Sequence, residues 1–162
     1  MRLPEAEARR RLGEARVARL ATVSGQGQPH LVPITFAVDG DLIYTAVDAK
    51  PKTTRDLQRL RNLRANPRVA VLADHYADDW AALWWARADG TASVADEQAA
   101  MAVPLRALAA RYPQYAGSPP DGPVIVIRVH RWTGWSASSL TVPTRPPPGV
   151  PTGSLTDLPR PG

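Results

Sequence analysis

Seven cations fall between Lys50 and Arg68: Lys50, Lys52, Arg55, Arg59, Arg61, Arg64 and Arg68. Asp56 is the one anion among them, so the segment carries +6 of a total of +5, and the rest of the chain is close to neutral at −1. A local cluster on a neutral background points to one particular anionic ligand more than to diffuse polyanion binding. Arginine can clamp a phosphate with two parallel N–H bonds, and lysine adds a compact point charge. Both lysines of the chain, Lys50 and Lys52, lie here. A basic stripe is also the footprint of a nucleic-acid protein. Single-strand platforms interleave cations with aromatic rings, whereas all five tryptophans (Trp80, Trp84, Trp85, Trp132 and Trp135) lie outside this segment. Nucleic acid is therefore not the expected partner.

Other side-chain chemistry is sparse. The chain has no cysteine, which removes disulfides, thiolate catalysis and cysteine-ligated metals together. His30, His75 and His130 have no neighbours at metal-ligand spacing, so no metal is expected. No Ser-His-Asp set stands in a recognisable context. GQGQPH does not fit the dinucleotide fingerprint, and it lies in a hairpin. What remains is DHYADDW at 74–80. There His75 and Tyr76 are candidate proton donors to a small-molecule substrate, and Trp80 is a candidate cofactor contact. A surface histidine and a packed tryptophan are the plainer readings of the same residues.

These groups need elements to hold them. Residues 4–16 read as a helix, with Pro4 in a first turn that can spare its N–H and Glu5 and Glu7 near the positive end of the dipole. Residues 17–24, VARLATVS, read as a strand, and Gly25–Gln28 as a turn. Residues 30–38, HLVPITFAV, read as a second strand, irregular or at an edge where Pro33 cannot donate. Asp39-Gly40 signals a hairpin into a third strand at 42–47. Thr53 or Thr54 caps a helix that runs to about residue 64 and stops before Asn66-Pro67. A fourth strand follows at 68–74 and a long fifth at 80–94, with Asp89-Gly90 a bend or bulge. Trp84 and Trp85 then point to opposite faces, one into the core and one toward a partner or cofactor. A helix capped by Asp96 spans 97–111, and Pro104 predicts a kink or break in it. Residues 112–123 read as a loop and 124–135 as the last strand. From residue 139 the text is too proline-rich to pack and reads as a disordered tail.

Six strands in short hairpins with interspersed helices predict a mainly β, α+β domain at 1–138 built on a small antiparallel barrel. Side chains fill the interior of such a barrel, so a cofactor must sit outside it, against a loop or a second subunit. No apolar run approaches the length of a membrane span, and MRLPEAEARRRLGEAR has no apolar core of a secretory leader. A cytoplasmic protein is expected.

VARLATVSGQGQPHLVPITFAVDGDLIYTAV at 17–47 resembles the opening of the pyridoxamine-phosphate-oxidase-like split β-barrel superfamily. RNLRANPRVAVLAD at 61–74 is similar to its next helix end and strand. DHYADDWAALWWARADGTASV at 74–94 resembles the F420-dependent actinobacterial branch, and WTGWSA at 132–137 its C-terminal strand. The resemblance implies a six-stranded split barrel of the FMN-binding type. It also implies a homodimer with two cofactor sites at the subunit interface and hydride transfer between the cofactor and an electron-poor small molecule. Coenzyme F420 is the implied cofactor, with FMN the alternative; a non-catalytic store of a flavin-like or haem-like ligand is the third reading. Val32, Pro33, Ile34 and Thr35 would flank the ring. Lys50, Lys52, Thr53, Thr54, Arg55, Arg59 and Arg61 would hold the phosphate, and Trp80 would touch the cofactor. The cofactor carries the redox chemistry in this class, so no catalytic side chain is required.

Overall fold

Two strands consecutive in sequence lie at opposite edges of one sheet, and this arrangement dictates the shape of the domain. The computed structural model describes residues 1–47 and 57–138. Its elements are α1 (Glu5–Glu14), β1 (Ala18–Val23), β2 (Pro29–Ile34), β3 (Ala37–Asp39), β4 (Leu42–Ala46), α2 (Gln58–Ala65), β5 (Arg68–His75), β6 (Trp84–Ala95), α3 (Gln98–Arg111), α4 (Gln114–Gly117) and β7 (Val124–Ser136), with a single 3₁₀ turn at Trp80–Ala82 before β6. The strands form one antiparallel sheet in the order β2-β1-β5-β6-β7-β4-β3. Laid flat, its two edges would be roughly 29 Å apart at about 4.8 Å per strand. Ile34 to Ala37 spans at most roughly 11 Å of extended chain. The sheet must therefore curl until β2 and β3 meet end to end, which makes a barrel split along an unpaired seam.

Seven strands stand where six are expected, because HLVPITFAV is two strands. The chain pairs with β1 as far as Ile34, loses the ladder at Thr35 and Phe36, and pairs with β4 from Ala37 onward. Pro33 sits near the end of β2, an edge strand, where its missing N–H is tolerated. The expected hairpin is present: Asp39 pairs with Leu42 across Gly40-Asp41, and Gly40 takes a left-handed φ of 59°. The long strand expected from residue 80 begins at Trp84, since Asp79 Oδ1 accepts the Ala81 N–H at 2.9 Å and turns the chain into the 3₁₀ turn. Helix α3 runs without interruption through Pro104, and Glu97 rather than Asp96 precedes it. Part of the stretch expected to be loop forms α4. The expected helix start at Thr53 or Thr54 and the proline-rich tail from residue 139 lie outside the described residues.

Alternation decides what fills the barrel. Leu20 and Thr22 on β1, Val69, Val71 and Ala73 on β5, and Ile125, Ile127 and Val129 on β7 are buried, while their neighbours face outward. Ala8 and Leu12 of α1 and Leu60 and Leu63 of α2 join this core. A second cluster packs Met101, Leu108 and Tyr112, from α3 and the residue after it, against Ala37, Tyr44 and Ala46. Burying each large aliphatic side chain contributes about 1.5–3 kcal/mol. Among the described residues no helix is long and apolar enough to cross a membrane.

The β6–β7 register shifts between Asp89 and Gly90, the bulge the sequence signalled. A Cβ on Gly90 would lie 2.5 Å from the Arg128 carbonyl oxygen. Backbone cannot move aside as a flexible side chain can. Gly90→Ala is expected to cost about 2 kcal/mol, read as a fall of roughly 4–8 °C in Tm by calorimetry. A second expectation concerns α1. Glu7 accepts bonds from Arg10 Nε at 2.8 Å, Arg10 Nη2 at 2.7 Å and Arg11 Nε at 2.7 Å. These bonds, Arg10's first, lower its pKa from 4.5 to about 2. A depressed carboxylate stabilises the fold above its unfolded pKa and loses that contribution as pH falls through its folded one. Stability should drop between about pH 4.5 and 2, and acid titration of Glu7→Gln should show a shallower loss over that window.

Candidate functional site

Where the seam turns from β2 to β3, the curled sheet leaves a cleft. It is lined by Val17, Pro33, Ile34, Thr35, Thr45, Ala46 and Arg59, with a volume of about 220 Å³. Val17 comes from the link between α1 and β1, Pro33 and Ile34 from the end of β2, and Thr35 from the crossover. Thr45 and Ala46 come from the end of β4, and Arg59 from the first turn of α2. Val17, Pro33, Ile34 and Ala46 make apolar walls. Thr35 and Thr45 bring hydroxyls, and Arg59 brings a guanidinium. The arrangement suits a flat group with polar edges that carries an anion at one end.

Three of the four residues expected beside a ring therefore meet one of the cations expected beside a phosphate. The fourth, Val32, is half-buried, packs against the barrel core and does not line the cleft, one pleat further from the crossover than Ile34. Arg61 lies two residues along α2 from Arg59, about 200° round the helix, and bonds Gln58 Oε1 at 2.6 Å. It does not line the cleft. Lys50, Lys52, Thr53, Thr54 and Arg55 lie outside the described residues. The segment that carries them leaves at Val47, next to cleft-lining Ala46, and returns at Leu57, two residues before Arg59.

His75, Tyr76 and Trp80 are not brought to the cleft. His75 ends β5, paired with Trp84, and Tyr76 and Trp80 lie in the β5–β6 connection, 75% and 77% exposed. Trp84 and Trp85 do face opposite ways. Trp84 packs on the core beneath the Arg11 guanidinium, 5.6 Å from its ring centroid, while Trp85 faces outward in register with Trp135. Arg87 is held by Asp89, with Nη2 to Oδ2 at 3.1 Å, and Asp89 also accepts from Arg131. His130 Nε2 lies 2.8 Å from Thr91 Oγ1. Among the described residues no group of three or more His, Asp or Glu side chains is placed to hold a metal.

Sequence reasoning missed Val17, Thr45 and Ala46, which are ordinary strand-end residues in the text and meet only because the sheet curls. It also missed the support behind the cleft. Thr35 Oγ1 lies 2.8 Å from the Tyr115 hydroxyl. The Tyr112 hydroxyl accepts the Phe36 N–H at 3.0 Å and donates to the Arg16 carbonyl at 2.9 Å. No spacing in the 112–123 segment announces either tyrosine.

The outer face of β2-β1-β5-β6-β7 is a further feature. Register places Leu31, Pro33, Ala70, Leu72, Trp85 and Trp135 on it, and Leu31 is 64% exposed. On the same strands Thr133 Oγ1 and His30 Nδ1 are buried with no hydrogen-bond partner.

Comparison with known proteins agrees with the architecture. The family model for pyridoxamine 5'-phosphate oxidase matches residues 4–136. No curated protein matches the chain. Among solved structures, a conserved hypothetical protein of Mycobacterium tuberculosis is 25% identical with a TM-score of 0.65, the match covering 96% of this chain and 95% of that one. An FAD-binding protein of Mesorhizobium loti is 22% identical with a TM-score of 0.64, over 83% of this chain and 95% of that one. The haem storage protein HutZ of Vibrio cholerae is 17% identical with a TM-score of 0.61, over 81% and 90%. The last two likenesses concern the fold alone. With a family model spanning most of the chain and the split barrel it describes, the protein belongs to the pyridoxamine 5'-phosphate oxidase family.

Proposed function

We propose that this chain binds a flavin-type cofactor in the cleft, coenzyme F420 first and FMN as the alternative, and uses it as a homodimeric oxidoreductase on an electron-poor small molecule. The observation that carries this reading is the meeting of Pro33, Ile34 and Thr35 with Arg59 in one cleft. A cleft that combines apolar walls, two hydroxyls and a guanidinium fits a planar ring with polar edges whose side chain bears a phosphate. The described residues that flank Lys50, Lys52 and Arg55 in the sequence, Val47 and Leu57, are close in sequence to cleft-lining Ala46 and Arg59, and the +6 charge of residues 50–68 favours an anionic ligand. F420 is put before FMN on the DHY…LWW block; the FAD-binding neighbours favour the flavin class more broadly.

Two observations support the homodimer. The cleft, at about 220 Å³, is smaller than the roughly 300–1,000 Å³ of a complete ligand pocket, so a second wall is wanted. The outer face carries exposed apolar side chains, Leu31 and Trp135 among them, which a second copy would cover. Bound in the cleft, the cofactor would supply hydride chemistry that no amino-acid side chain has. The chain's own work is to orient and to exclude water: Pro33, Ile34 and Val17 shield the ring, Thr35 offers a hydroxyl at its edge, and Arg59 anchors the anion. His75 and Tyr76 remain candidate proton donors, on a loop that a second subunit would have to bring to the cleft.

Titration of the purified protein with F420, FMN, haem and a short oligonucleotide, followed by tryptophan fluorescence, tests the reading. Saturable quenching by F420 supports it as stated, tight FMN binding moves it to the alternative, and haem binding alone replaces it with a ligand store. Arg59→Gln should weaken the bound cofactor about tenfold, as loss of one charge-assisted contact predicts. Sedimentation equilibrium should give twice the chain mass; a monomer that binds cofactor at full affinity would remove the interface from the proposal.

A further inference from the structure

The crossover at Thr35 and Phe36 has no flanking strand. Ile34 is the last residue paired with β1, and Ala37 the first paired with β4. Backbone groups at this depth need partners, and here side chains from one corner of the molecule supply them. Phe36 N–H donates to the Tyr112 hydroxyl at 3.0 Å. That hydroxyl spends its own proton on the Arg16 carbonyl at 2.9 Å. Arg16 is the residue before Val17, so Tyr112 ties together two cleft walls that are far apart in sequence.

The same corner reaches the cleft lining itself. Tyr115, on α4, stands edge-on to Tyr112 with ring centroids 5.7 Å apart and planes at 63°, an arrangement that fixes both rings. Its hydroxyl meets Thr35 Oγ1 at 2.8 Å. Arg111, the last residue of α3, bonds the Ala15 carbonyl and lies 5.1 Å from the Phe36 ring centroid. In return Arg16 Nη1 donates to the Arg111 carbonyl at 3.2 Å. Neither tyrosine lines the cleft, yet each is bonded to a residue that does or to that residue's neighbour.

We infer that Tyr115 is a positioning residue for the cleft, acting through the Thr35 hydroxyl, with Tyr112 fixing the backbone on either side. A threonine hydroxyl on an unpaired crossover would otherwise choose among rotamers. Held by Tyr115, it presents one fixed polar atom at the point where the apolar walls end. Ligand affinity in the cleft therefore depends on a helix that never touches the ligand. This inference rests on the reading that the cleft holds the ring of the cofactor.

A double-mutant cycle separates the two claims. The variants are Tyr115→Phe, Thr35→Val, their combination, and Arg59→Gln. Each is titrated with F420 and FMN, and with the phosphate-free counterpart of each (the ribityl 8-hydroxy-5-deazaflavin for F420 and riboflavin for FMN). The thermal midpoint of each ligand-free variant is measured alongside. Tyr115→Phe keeps the ring against Tyr112 and removes only the hydroxyl, so the ligand-free protein should melt within a few degrees of the parent. It should weaken the phosphate-bearing and phosphate-free rings alike, by about five- to tenfold, and should have no effect in the Thr35→Val background. Arg59→Gln should weaken only the phosphate-bearing ligand. Equal losses from Tyr115→Phe in both backgrounds overturn the inference, since Tyr115 would then act by another route. So does an unchanged affinity for Tyr115→Phe where Thr35→Val and Arg59→Gln both weaken binding, and in that case the cleft keeps its assignment. If none of the variants alters binding, the cleft is not the cofactor site and the inference falls with it.

Discussion

A link of two residues, Thr35-Phe36, joins the opposite edges of the sheet, and almost everything else answers to it. Because Ile34 and Ala37 cannot separate, the strands between them must wrap. Wrapping gives the barrel its interior, and the interior selects the buried half of each strand. The price of the arrangement is a short stretch of main chain with no ladder on either side. Tyr112 and Tyr115 meet that need, and in doing so they tie the helical corner to the cleft.

The link also explains why a cleft opens where it does. Strands that pair fill the space between them with side chains from both. At the seam β2 and β3 do not pair with one another, so Thr35 is flanked instead by the end of β4 and the start of β1. The 48–56 segment, which carries Lys50, Lys52 and Arg55, lies between Ala46 and α2 in the sequence. The cleft thus comes from connectivity, with no motif devoted to it.

Much of this was legible in the sequence, and the exceptions have physical causes. VARLATVS and RVAVLAD are strands as read, because short apolar and β-branched residues dominate both and every second one can be buried. Asp39-Gly40 marks its hairpin because only a residue tolerant of positive φ fits there. HLVPITFAV misleads, since both halves are extended and apolar, and nothing local reveals that they pair with different partners. Pro104 suggests a break that does not occur, because packing of Met101 and Leu108 against Tyr44 and Val124 outweighs one missing bond. For the candidate cleft, Pro33, Ile34, Thr35 and Arg59 were singled out through resemblance and charge. Val17, Thr45 and Ala46 were not, since they meet the others only through curvature.

Strand β7 has one more bearing on how this molecule comes into being. It lies between β6 and β4, so without it the sheet is two separate pieces, β2-β1-β5-β6 and β4-β3. A ribosome delivers those pieces first, at about 5–20 residues per second. For some seconds the nascent chain therefore holds two apolar sheet fragments, joined through Thr35-Phe36 and through the chain from β4 to β5, each with a raw edge. The arrival of residues 124–136 joins both edges at once, and until then the growing chain depends on whatever shields it in the cell.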